Sequence, residues 1–145
     1  MPGADIPEAL AGAAFVHTIR VRYGEVDLQG VVFNAHYMAY CDDAMETWLR
    51  DLGVRALDDY GWDFMLKKSV IEWQSPAGLH DILDIGVGIA RWGRTSFDVG
   101  FTGVVGSRAV FTGATTYVGV TPDTHEPLPA PPDLRALLGG PDPSP

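Results

Sequence analysis

Between Arg22 and Asn34 the chain reads Arg-Tyr-Gly-Glu-Val-Asp-Leu-Gln-Gly-Val-Val-Phe-Asn, and this stretch gathers the side chains best suited to chemistry. Two carboxylates, Glu25 and Asp27, share it with the phenol of Tyr23, and it runs into the start of an apolar-periodic helix at Asn34. A helix N-terminus presents unpaired N–H groups and the positive end of the helix dipole, which favour an oxygen that is gaining negative charge. A carboxylate facing such donors can attack a carbonyl carbon or take a proton from water. The arrangement therefore suits acyl transfer and needs no Ser-His-Asp triad. Taken alone, Asp27 also reads as a turn or capping residue, and Glu25 reads as structural.

The other reactive side chains point elsewhere. His17, His36, His80 and His125 lie too far apart for a helical ligand pair and lack clustered carboxylate or thiol partners, so no metal site is expected. His36 either lines the pocket or packs beside the helix, and His17, on an apolar strand face, is expected to be satisfied in the core. Cys41 falls on the apolar stripe of the helix and reads as a small buried hydrophobe. Lys67, Lys68, Arg91, Arg94 and Arg108 are half of the 10 basic residues and lie in the least acidic part of the chain. An anionic ligand could dock there, with scattered solvated charges as the equal alternative.

The elements that must position these groups follow from periodicity. Phe15, His17, Ile19 and Val21 alternate with polar neighbours in a strand predicted over Phe15–Arg22. Tyr37, Tyr40, Cys41, Ala44, Trp48, Leu49 and Leu52 then fall on one helical face, with Asn34 as the expected N-cap and Gly53 as the left-handed residue that ends the helix. The opposite face, with Asp42, Asp43, Glu46 and Arg50, is expected to be solvated. Strands follow over Phe64–Gln74, over the alternation Leu83, Ile85, Val87, Ile89, over Phe97, Val99, Phe101, and over Arg108–Val120. Breaks at Pro76-Ala77-Gly78, Trp92-Gly93-Arg94 and Val105-Gly106-Ser107 separate them. One strand, one helix and four strands joined by tight turns make an α+β antiparallel design, because a parallel sheet needs a helix per crossover. Gly86, Gly88, Gly100, Gly103, Gly113 and Gly119 lie within strands and predict bulges or close approaches, as a sheet curled around one helix requires.

With 145 residues, 46% of them hydrophobic, the chain has room for one folded core. No apolar run reaches the ~18 residues of a membrane helix, and a net charge of −9 argues against a nucleic-acid partner. A lone Cys41 and a start without the features of a secretion signal make the cytoplasm the expected location. Among the 11 prolines only Pro76 lies between residues 15 and 120. Proline is excluded from ladder and helix interiors, so 15–120 is expected as the domain, with 1–14 a flexible N-terminal segment and 121–145 a Pro-rich tail. That tail is expected to hold a short helical turn over Asp133–Leu138, with a stripe of Leu134, Leu137 and Leu138, and to fray at its end.

The pattern of Glu25, Asp27, Gly30, Val31, Val32, Phe33 and Tyr37 resembles the 4-hydroxybenzoyl-CoA thioesterase-like branch of the hotdog-fold acyl-CoA thioesterases. Ser75-Pro76-Ala77, His80-Asp81, Arg91 to Phe97, and Tyr117-Val118 to Leu128-Pro129 extend the resemblance over residues 15–135. It implies a hotdog fold, one long helix wrapped by a curved antiparallel sheet of about five strands. It implies hydrolysis of an acyl-CoA or acyl-carrier-protein thioester to a carboxylic acid and a thiol, with coenzyme A as a substrate moiety and no separate cofactor. By that resemblance Asp27 is the nucleophile or the general base and the Asn34 backbone N–H polarises the carbonyl. Gly30, Val31, Val32, Tyr37, Arg91 and Arg94 then lie along the substrate. Some members have a His where this chain has Asn34, working with a Tyr matching Tyr23. Without that imidazole no acid–base pair through position 34 is possible, and Asn34 orients water or caps the helix. A homodimer or homotetramer is expected, because one helix leaves the sheet's other face partly apolar and the family's sites form at subunit interfaces. Two rivals stand beside this reading: a hotdog enoyl hydratase or dehydratase, pairing Asp27 with His36, and a non-catalytic acyl-thioester-binding protein.

Overall fold

In a computed structural model that describes residues 7–142, five strands form one antiparallel sheet: β1 (Phe15–Arg20), β2 (Asp63–Trp73), β3 (Ile82–Trp92), β4 (Ser96–Val105) and β5 (Arg108–Val120). The spatial order is β1-β3-β4-β5-β2, so β1 and β2 are the edges. Helix α1 (His36–Asp51) connects these two edges, and a short α2 (Pro132–Leu138) follows the sheet. This is the hotdog arrangement of a curved sheet around one long helix. The period of two decides the inner face: Leu83, Ile85, Val87 and Ile89 of β3 and Phe97, Val99 and Phe101 of β4 are buried in one cluster with Tyr37, Tyr40, Cys41, Ala44, Met45, Trp48 and Leu49 of α1.

Helix α1 ends as its sequence requires. Gly53 has φ +86°, its N–H donates to Arg50 O (2.9 Å), and the Val54 N–H donates to Leu49 O (2.9 Å), which satisfies the last carbonyls. The β1 ladder stops at Arg20 rather than Arg22, because β3 begins opposite it at Ile82; Val21 bonds the preceding loop at His80 and Asp81. The ladder shifts register between Leu66 and Lys68, between Ile89 and Arg91, and between Gly103 and Val104. These irregularities increase the local twist that bends a sheet around a helix.

Glycines elsewhere admit close neighbours. At Gly86 a Cβ would lie 3.0 Å from Leu10 and Ala13, whose segment crosses β3 there, and the Ala14 N–H donates to Val87 O (3.0 Å). At Gly119 a Cβ would collide with the Trp62 indole and with Leu128 O, the two partners of a 3.0 Å hydrogen bond. Chain on both sides of residues 15–120 therefore packs on the folded unit. Leu10 is buried, Ala130, Leu134 and Leu138 join the core, and the Trp92 indole donates to Gly139 O (2.8 Å) while the Arg135 guanidinium covers its ring at 4.8 Å. Leu137, expected on the same stripe, is exposed. Residues 1–6 of the expected N-terminal segment and the tail residues 143–145 lie outside the described residues. Among the described residues no helix is long and apolar enough to cross a membrane.

Candidate active site

The loop between β1 and α1 is a small hairpin. Phe33 N–H donates to Glu25 O (2.9 Å), Val26 pairs with Val32, and Asp27 N–H donates to Val31 O (2.9 Å). Its turn runs from Asp27 to Gly30, closed by Gly30 N–H to Asp27 O (2.9 Å), and Gly30 supplies φ +78°. The half-buried Asp27 carboxylate accepts the Gln29 N–H on Oδ1 (2.8 Å); Oδ2 takes no hydrogen bond from the described residues. Both sequence readings of Asp27 are thus compatible: one oxygen braces the turn and the other is left for chemistry.

A second segment, residues 75–81, lies along this hairpin. Val31 pairs with Gly78, Val32 N–H donates to Ala77 O (2.9 Å), and Leu79 N–H donates to Gly30 O (3.2 Å). Arg108 pins that segment through Ser75 Oγ (2.7 Å), Pro76 O (2.6 Å) and Asp81 (3.4 Å). The Ala77 N–H donates to the Tyr37 hydroxyl (3.3 Å). Tyr37, placed along the substrate by resemblance, is a core residue at 1% exposure, its ring edge-on to Tyr40, Trp73 and Phe111, and burial pushes its phenol up. Val32 is buried as well, while Gly30 is exposed and Val31 half-buried.

Asn34 is not the helix cap. Ala35 holds that position with helical dihedrals and no side-chain cap. The chain enters α1 through a turn in which the His36 N–H donates to Phe33 O (2.9 Å) and the Tyr37 N–H to Asn34 O (3.3 Å), so the donors an Asn34 side chain would have capped are already taken. The backbone N–H groups of Asn34 and Ala35 have no acceptor among the described residues. Tyr23 is 83% exposed and its hydroxyl has no partner among them.

Glu25 has the densest bonding in the loop. Its Oε1 accepts the Arg22 backbone N–H (2.9 Å) and the Tyr40 hydroxyl (3.1 Å), and its Oε2 accepts Arg22 Nη2 (2.8 Å) and Nε (3.3 Å). Burial alone would raise this carboxyl, but the hydrogen bonds from Arg22 and Tyr40 outweigh it and hold Glu25 below the usual carboxylate range. The Arg22–Glu25 spacing is visible in the sequence; Tyr40 is not, because its position on the apolar stripe reads as core.

A groove of about 580 Å³ opens beside this network, walled by Arg22, Glu25, His36, Tyr40 and Asp43. Asp27 is not among its walls and His36 makes no hydrogen bond to it, so the structure does not form the Asp27–His36 pair of the hydratase alternative. His17 is satisfied by Asp43 (2.9 Å), and Asp42 accepts the Tyr117 hydroxyl (3.4 Å). The acidic face of α1 is solvated as expected, with Asp42, Asp43, Glu46 and Arg50 all exposed, and His17 and Tyr117 of the sheet reach two of its carboxylates. Cys41 is buried as expected, and burial, followed by the charge of Asp42, pushes its thiol up to about 12.

The basic residues divide. Arg91 is held by Asp98 (2.8 and 3.3 Å) and Ser96 (3.0 Å), and Arg108 by the 75–81 segment, whereas Lys67, Lys68 and Arg94 form no ion pair among the described residues. Arg91 and Arg94 lie at the β3–β4 turn. The Asp27 hairpin packs at the opposite end of β3, about 30 Å away along the strand. One protomer therefore does not bring Arg91 or Arg94 to Asp27. Large apolar side chains are exposed on and near the hairpin, Leu28 at 107% exposure, Phe33 and Leu79, and on β2, Trp73, Val70 and Leu66. No cluster of His, Cys, Asp or Glu suited to a metal ion occurs among the described residues.

Comparison with known proteins agrees with this architecture. A crystal structure from Jannaschia sp. CCS1, described as thioesterase superfamily, superposes with a TM-score of 0.81 at 26% identity, covering 88% of this chain and 92% of that one. The 1,4-dihydroxy-2-naphthoyl-CoA thioesterase Slr0204 from Synechocystis has the same fold, with a TM-score of 0.77 at 18% identity over 86% of this chain and 94% of that one. The acyl-CoA thioester hydrolase YbgC of Escherichia coli O6:H1 is 34% identical over 80 residues, 54% of this chain and 60% of the relative. The matched regions span 60–66% of the length of such curated relatives. Residues 21–138, from the end of β1 through α2, match the thioesterase-like superfamily, and the chain belongs to that family.

Proposed function

We propose that the chain hydrolyses the thioester of an acyl-CoA, or of an acyl-carrier protein, to a carboxylic acid and a thiol. The observation that carries this reading is the Asp27 Oδ2, unbonded among the described residues on a turn braced by its own Oδ1, in the hairpin that leads into a helix start whose Asn34 and Ala35 N–H groups have no acceptor among the described residues. The thioester oxygen would receive those N–H groups while Asp27 acts on the carbon. As a general base, Asp27 takes a proton from water, the water oxygen bonds the carbonyl carbon, the C–S bond breaks, and the proton passes to the thiolate. As a nucleophile, its oxygen forms an acyl anhydride with loss of thiolate, and water then cleaves the anhydride. Either route uses coenzyme A as part of the substrate and calls on no other cofactor.

We further propose that the working unit is a homodimer or a homotetramer. Trp73, Val70 and Leu66 are exposed apolar side chains on an unpaired edge strand, with Leu28 and Phe33 exposed on the hairpin, and a second copy pairing with that edge would cover it. A two-fold axis across the middle of β2 would set the partner's β3–β4 turn, with Arg94 of the partner subunit, at the end of the sheet that holds Asp27. Basic residues a strand length from the site in one protomer would then serve the site of the other.

The test is Asp27→Asn, which keeps the side chain's shape and removes its negative charge. Turnover of acyl-CoA substrates is expected to fall by at least about a hundredfold with circular dichroism and substrate affinity retained. Activity within a few-fold of the unaltered chain would refute the assignment. A panel that includes enoyl-CoA separates the alternatives: hydration without hydrolysis would make the chain a hydratase, and binding without turnover a thioester-binding protein.

A further inference from the structure

We propose that Glu25 is a positioning residue, which hangs the Asp27 hairpin from α1 and so fixes the Asp27 carboxylate relative to the first N–H groups of the helix. The inference rests on the thioesterase reading of Asp27 and adds how that residue is held. Glu25 joins three parts of the chain with one side chain. Its backbone oxygen closes the base of the hairpin by accepting the Phe33 N–H, its carboxylate clamps Arg22 at the end of β1, and it accepts the hydroxyl of Tyr40 from the second turn of α1.

Geometry carries this arrangement to Asp27. Val26, between the two acids, is extended, with φ −102° and ψ 151°. Glu25 ends a 3-10 turn over Tyr23–Glu25 and only Val26 separates it from Asp27, so whatever holds Glu25 also sets where the Asp27 turn begins. The bond to Tyr40 ties that starting point to α1. Without the link the hairpin would keep its ties to residues 77–79 and the turn by which Phe33 enters α1, but the strand that carries Asp27 would lose its only side-chain hydrogen bond to the helix among the described residues. Glu25 is only 12% exposed, and a carboxylate so placed loses hydration that Arg22 and Tyr40 must replace. An apolar pair would fill the space without that cost, but it would not fix direction as four hydrogen bonds do.

Two variants separate a positioning role from a merely structural one. Tyr40→Phe removes the helix link and leaves both Arg22 clamps. Glu25→Gln keeps the size but offers one acceptor oxygen to three donor groups. With an acyl-CoA that the unaltered chain hydrolyses, both are expected to lower kcat by roughly tenfold or more with KM within about twofold, since misplacement penalises the reacting geometry more than binding. Amide hydrogen exchange supplies a readout independent of activity: the Asp27 and Gly30 N–H groups should exchange faster in both variants while those of β3 and β4 keep their rates. Unchanged exchange at Asp27 and Gly30, or kcat within about twofold in both variants, would overturn the anchor. Faster exchange in a chain that hydrolyses no thioester would support the anchor and overturn the thioesterase reading, so the two failures are distinct.

Discussion

Asp27 and Glu25 are two residues apart and have opposite environments. The first keeps an oxygen free at a turn; every oxygen of the second is bonded. The Glu25 carboxyl is held below its ordinary value, so its bonds stabilise the fold above the unfolded value of about pH 4.3 and are lost as the pH falls through the lower folded value. The stability gap between the unaltered chain and Glu25→Gln, read from urea midpoints, should therefore narrow from pH 6 to pH 3; a constant gap would show that the carboxylate charge is immaterial. Cys41 makes the converse case. With its thiol pushed up to about 12, roughly one molecule in ten thousand is thiolate at pH 8. Iodoacetamide at that pH should leave the folded chain unmodified while alkylating it fully in urea, and rapid labelling of the folded chain would show that α1 opens.

Among the elements, the strands and α1 were legible because period and punctuation agree. Alternation of Leu83, Ile85, Val87 and Ile89 could serve only one face, and Gly53 could end the helix in the left-handed region where other residues are strained. The tail's helical turn over Asp133–Leu138 was legible, and α2 spans Pro132–Leu138, but the packing of the flanking segments on the sheet was not, since prolines that forbid a ladder say nothing about packing over one. Gly119 shows how closely the tail is fitted: its missing side chain leaves room for the Trp62–Leu128 bond. Gly119→Ala is expected to destabilise the chain by about 1–3 kcal/mol in urea unfolding, the usual cost of overpacking. A change below about 0.5 kcal/mol, the range of an ordinary surface substitution, would mean that the tail contributes little to the fold.

At the scale of the whole molecule, the sheet leaves an 11-residue edge strand with apolar side chains in solvent. Isolated apolar residues need no explanation, but these lie on an unpaired edge strand, which a second copy of the chain would cover. Light scattering should give a mass that is a multiple of 15.6 kDa at micromolar concentration. Val70→Glu and Leu66→Glu, both at exposed positions of the protomer, should lower that mass to the monomer's with circular dichroism unchanged. Oligomers persisting in both variants would place the interface elsewhere.

By itself the sequence determined the α+β class, the order of the elements, the helix end at Gly53 and the candidacy of Asp27, because each depends on local spacing, steric limits or a compact motif. Only the tertiary structure decided that Asn34 is not a cap, since the turn from Phe33 had already taken the donors it would serve. Only it placed Arg91 and Arg94 a strand length from Asp27, because distance across a sheet follows from topology and not from charge composition. The partnership of Glu25 with Tyr40 was hidden for the same reason: a phenol on an apolar stripe reads as core until the fold shows where its hydroxyl ends.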